Sequence, residues 1–150
     1  MLNYLLAVMA IGISFVLTVV FSGGIITDYF DILCIILMVI FPFLYQWALF
    51  GSSGVRKAFM TGFKKAVSIE DIKLAQFFFK SYTKIVWFSA LLFIVTVNLS
   101  MLIHLEDRSA LGPNIRWMLI FLSYAIITQV VVIIPFLVIL KRRMIELIEI

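Results

Sequence analysis

Apolar residues run together in four long blocks, Leu2 to Ser22, Tyr29 to Phe50, Ile85 to Ile103 and Trp117 to Leu140, and Asp31 is the one charged residue inside them. A helix rises 1.5 Å per residue, so about 20 apolar residues cross a hydrocarbon layer. The pattern predicts an all-α integral membrane protein, a single domain over residues 1–150 with four transmembrane helices (2–22, 29–50, 85–103, 117–140) and a cytoplasmic loop at 51–84.

The stretches between the blocks differ in charge. Gly23 to Asp28 has no Lys or Arg, whereas Gly51 to Lys84 carries Arg56, Lys57, Lys64, Lys65, Lys73, Lys80 and Lys84. His104 to Arg116 has only Arg108 and Arg116, and the tail after Leu140 has Lys141, Arg142 and Arg143. Basic residues collect on the cytoplasmic side of membrane proteins, so the 51–84 loop and both termini are expected inside. Within that loop, Ser68-Ile69-Glu70-Asp71 reads as a capping box, predicting a helix that runs on towards the third span with Lys80 and Lys84 near its far end. Val55 to Val67 interleaves Phe59, Met60 and Phe63 with four basic residues. It reads either as an interfacial helix on anionic lipid or as a basic juxtamembrane linker. Ser22-Gly23-Gly24 and Leu111-Gly112-Pro113-Asn114 are expected as the two outer turns. Pro42 and Pro135 each remove a backbone donor and predict kinks in the second and fourth spans.

Composition agrees with a lipid solvent: 65% of residues are hydrophobic and 13% charged, and the mean hydropathy is +1.21. The first block lacks a positive n-region, exceeds the length of a leader's apolar core and has no small-x-small site before it ends, so it is expected to stay as a span. Cys34, the single cysteine, lies in an apolar run and reads as a packed thiol. One His and one Cys with no acid deep in a span build neither a catalytic triad nor a metal site, so no enzyme activity, cofactor or metal is expected. The sequence pI near 9.4 follows from the topology and calls for no nucleic-acid partner.

Polar residues inside the blocks are the remaining candidates. Thr96 and Ser100 lie four apart on the third span, and Tyr124 and Thr128 four apart on the fourth, so each pair shares a face; they could line an ion path or bond backbone carbonyls. Asn98 and Gln129 need partners in hydrocarbon and are expected at helix contacts, within or between subunits. Asp31 and His104 fall at interface depth, where each reads as an anchor.

Two stretches carry a resemblance. Gly23-Gly24 followed by Tyr29, Asp31 and Cys34 is similar to a Gly-Gly, aromatic, Asp, Ser pattern. Met101-Leu102-Ile103-His104-Leu105-Glu106-Asp107 followed by Gly112-Pro113, Tyr124 and Pro135 is similar, without a gap, to a Met-Leu-x-x-Leu-x-Asp, Gly-Pro, Tyr, Pro pattern. Both patterns belong to the flagellar stator A-subunit family, the MotA/TolQ/ExbB proton-channel group, and the chain resembles the MotA branch. The resemblance implies a bacterial inner-membrane subunit, a homo-oligomer of five copies, and a single-span B-type partner whose Asp carries the proton. The chain departs from the family in having only Gly51 to Lys84 where a large cytoplasmic domain is typical. It also has Phe93, Ile94 and Val97 on the third span, and Arg116, Met118, Phe121 and Leu122 on the fourth, where the family has small and hydroxyl residues. A structural or accessory protein that keeps this fold but conducts nothing is the alternative expectation.

Overall fold

A computed structural model describes residues 2–64, 67–103 and 108–148. His104, Lys65, Glu106 and Asp107 lie outside the described residues. The described chain is helical, with no strand among its elements. Helix α1 spans Leu2–Phe21, α2 Ile32–Ile35, α3 Phe41–Thr61, α4 Ile69–Ile103, α5 Arg108–Thr128 and α6 Ile134–Ile148. A 3-10 turn lies at Ile26–Tyr29, and π turns at Ile36–Ile40 and Gln129–Ile133 join α2 to α3 and α5 to α6. Three continuous helical segments, Ile32–Thr61, Ile69–Ile103 and Leu111–Ile148, are long and apolar enough to cross a membrane.

The boundaries have local causes. At the end of α1 the amide of Gly23 donates to Val20 O and that of Gly24 to Val19 O. That pair of bonds is a Schellman cap, and Gly23 sits at its left-handed position with φ 72°. Gly51 interrupts α3 with φ 67° and ψ 167°, a conformation only glycine takes cheaply. Ser68 caps α4, its Oγ accepting from the Asp71 amide at 3.2 Å. At 35 residues α4 is about 50 Å long, so the loop helix and the third apolar block form one rod that outreaches a bilayer core.

Both predicted kinks are π turns. Pro42 and Pro135 each stand two residues beyond the end of one. A proline ring collides with the carbonyl four residues back and offers it no donor; widening the preceding turn relieves the collision.

Two expectations need correction. Gly112 and Pro113 do not form a turn: α5 begins at Arg108 and runs through both, with Pro113 in its second turn. As the sixth residue of α5, Pro113 removes one intrahelical donor, and the helix runs through it all the same. The basic segment after Gly51 is helical only to Thr61 and packs on the bundle, with Ala58 and Thr61 buried. Phe59 points inward, its ring 5.3 Å from Phe79 and 5.2 Å from Phe136, while Met60 and Phe63 stay exposed.

Helix α4 is central, packed along α3 on one side and along α5 and α6 on another. The neighbours run antiparallel to it, as shown by Phe43 against Tyr82 and Phe50 against Phe78, then Phe93 against Phe121 and Phe79 against Phe136. Helix α1 lies beside the last two helices. Tyr4 Oη donates to Val131 O at 3.0 Å, and the Tyr4 ring meets Phe136 edge-on. Val131 is the residue whose α-helical donor would have been Pro135, so a hydroxyl from another helix bonds the carbonyl that proline leaves without its usual amide.

Candidate functional site

Several of the residues that carry the resemblance meet at the short turn between α1 and α2. Tyr124, on α5, donates its hydroxyl to Tyr29 O at 2.9 Å and accepts from the Asp31 amide at 3.4 Å. Asp31 is the N-cap of α2, its Oδ1 accepting from Leu33 N at 3.0 Å and Cys34 N at 3.1 Å. A carboxylate there satisfies two free amides and faces the positive end of the helix. About two helical turns before Tyr124, Arg116 donates to Asp28 O at 2.6 Å. The Tyr29 ring packs edge-on to Phe15 of α1, and a Cβ placed on Gly24 would touch Val19 and Tyr29 at 3.5–3.6 Å. A clasp results in which α5 grips the backbone of the 28–31 turn at two points while α1 closes over it. Asp31 is thus a helix cap as well as a residue of the apolar block's edge.

Gly23, Gly24, Tyr29, Asp31 and Tyr124 are brought together there. Gly112 borders the same region, lining a crevice of about 400 Å³ with Asp28, Tyr29 and Arg116. Pro113 lies in the helix just beside it, and Pro135 is remote, beyond the π turn of α5–α6.

The four ion-path candidates do not converge. Thr96 Oγ1 donates to Leu92 O at 2.9 Å and Thr128 Oγ1 to Tyr124 O at 2.8 Å, each within its own helix. Ser100 is exposed near the end of α4. Between α4 and α5 the rings of Phe93 and Phe121 stack, 5.3 Å apart and 28° from parallel. Among the described residues no group of three His, Cys, Asp or Glu could hold a metal ion.

The amides divide. Gln129 is buried and its Nε2 donates to Thr83 O on α4 at 3.3 Å, a contact within the chain. Asn98 is exposed; its Nδ2 donates to Ile94 O of its own helix at 2.8 Å and reaches Met118 Sδ on α5 at 2.9 Å. Sequence reasoning passed over Gln46, which is fully buried, donates from Nε2 to Phe78 O at 2.9 Å and leaves its Oε1 without a partner. The signal was there, since a primary amide in an apolar block carries the same requirement that singled out Gln129. Gln46 and Gln129 thus hold α4 from two sides. Arg143 was read only as a topological charge; its guanidinium donates to Thr61 O at 2.8 Å and to Lys64 O, closing the C-terminal end of α3.

Comparison with known proteins finds no matching family, no matching curated protein and no matching solved structure.

Proposed function

We propose that the chain is a four-span membrane subunit of a stator-type assembly in a bacterial inner membrane. It would form a ring, of five copies by the resemblance, around a single-span partner that supplies the titrating acid, while this chain supplies the scaffold. The observation that carries this reading is the clasp: Tyr124, more than ninety residues away in sequence, hydrogen-bonds the turn that holds Gly24, Tyr29 and Asp31. Helix α1 counts as the fourth span because its 20 residues include no charge and reach about 30 Å. Its two ends lie beside Val131 and Tyr29, so it runs alongside the apolar stretch of α5 and α6. Arg56, Lys57 and Lys64 lie on or just after the C-terminal part of α3, the end that Arg143 joins, which supports both termini facing the cytoplasm.

The mass of the complex extracted in mild detergent, together with whatever co-purifies, tests this. A ring of several copies holding a smaller single-span protein is the expected result; a monomer without a partner sinks it. The second reading, a non-conducting structural subunit with the same fold, is favoured by the Phe93–Phe121 stack and by the Thr96 and Thr128 hydroxyls bonded inside their own helices. Bulky apolar contacts resist wetting. The ring purified together with its single-span partner and placed in vesicles, if it passes no ions under an imposed gradient, would establish that reading over the first.

A further inference from the structure

Between α3 and α4 a groove of about 700 Å³ opens towards the lipid-facing surface. Its α4 wall is one helical face, Ser81, Ile85, Phe88, Ser89 and Leu92, in which the two serines leave room that larger residues would fill. The opposite wall is bowed by the π turn at Ile36–Ile40 and the buried Pro42 that follows it. Apart from Ser89, the polar residues of the groove gather at one end. Ser81 and Lys84 line both this groove and an adjoining crevice of about 560 Å³, which adds Lys80 and Thr83. No acidic side chain lines either space. Lys80 and Lys84 are exposed, and the ion pairs among the described residues, Lys57–Asp71 and Arg142–Glu146, involve neither.

We propose that this groove is a binding site for one anionic phospholipid, with its phosphate between Lys80 and Lys84 and its acyl chains along Leu44, Phe88 and Leu92. Charge complementarity selects this occupant. An apolar helix from a second copy would fill the walls but leave two ammonium groups without a counter-charge, whereas a phosphodiester brings one charge and several acceptors to the end where the lysines stand. The lysine stems can lie along the apolar wall and carry their charges to the headgroup level. The site needs only that the chain sits in a bilayer, so it holds whether or not the assembly conducts.

The experiment is native mass spectrometry of the delipidated chain in mild detergent, titrated with phosphatidylglycerol or with phosphatidylcholine of the same acyl chains. One phosphatidylglycerol should be retained per chain, in preference to phosphatidylcholine. Lys80→Gln and Lys84→Gln should each weaken that preference about fivefold, and Lys64→Gln with Lys73→Gln, which removes twice the charge of either elsewhere, should leave it unchanged. Ser89→Trp should displace both lipids by filling the groove, while Ser89→Ala should displace neither; elution volume of each variant reports that it is folded. Equal retention of the two lipids, or an equal loss in the Lys64/Lys73 variant, overturns the proposal. So does efficient disulfide cross-linking of Ser89→Cys between copies in bilayers, which would assign the groove to a second chain.

Discussion

Where Asp31 lies, α1, α2 and α5 meet through hydrogen bonds to a turn's backbone: the Tyr124 hydroxyl on Tyr29 O and the Arg116 guanidinium on Asp28 O. At the opposite end α3, α4 and α6 meet through rings, Phe59, Phe78, Phe79 and Phe136, with centroids 4.8–5.8 Å apart. The difference follows the surroundings. A turn has free backbone groups that need partners, so hydroxyl and guanidinium groups can hold it. The other end is made of helices whose backbones are already paired, so large rings packed on one another supply the contact. Between the two ends the Gln46 and Gln129 amides add hydrogen bonds to carbonyls of α4, beside the Phe93–Phe121 stack.

If the ring cluster dominates, Phe79→Ala should destabilise the detergent-solubilised chain most, by about 3–5 kcal/mol as for buried rings elsewhere. Its thermal unfolding should fall well below that of any clasp variant, and an equal fall in Tyr124→Phe would erase the distinction between the two ends. Gly51→Ala comes next: forcing a side chain into that backbone conformation should cost about 1–3 kcal/mol or straighten α3, which distance measurements across the break would detect. At the clasp, Tyr124→Phe should cost about 1 kcal/mol. Asp31→Ala should cost about 0.5–2 kcal/mol while Asp31→Asn, which can still accept from the same amides, should be nearly silent; a large loss in Asp31→Asn would show that the charge matters beyond the cap. The smallest effect belongs to Lys57–Asp71, 2.5 Å apart and solvent-exposed. Hydrogen bonding to Lys57, then to Ser68, holds the Asp71 carboxyl below its ordinary 3.8. A depressed carboxyl stabilises the folded chain above its unfolded-state value and loses that contribution as pH falls through the folded one. Titration between pH 7 and 4 should therefore leave the contact intact, with loss only below the ordinary value.

Much of the fold was legible in the sequence because helices in lipid satisfy their own backbone, so length and apolarity suffice to find them. Gly51, Ser68 and the two prolines marked local events whose physics is complete within a few residues. The start of α5 was misplaced because Gly-Pro signals a turn in isolation but is tolerated near a helix start. The candidate site was half legible: the spacing of Tyr29, Asp31 and Tyr124 stood out, but their meeting did not.

What the sequence determined by itself is the apolar helical segments, the turn after α1 and the cap of α4, each a consequence of local backbone chemistry or of the run of apolar residues. What only the tertiary structure decided is the choice of partners: Tyr4 for Val131 O, Tyr124 for the 29–31 turn, Gln46 and Gln129 for carbonyls of α4, Arg143 for the end of α3. Each joins residues at least 32 positions apart. Which hydroxyl, amide or guanidinium reaches which carbonyl depends on the rotation and register of whole helices, which no short stretch of sequence encodes.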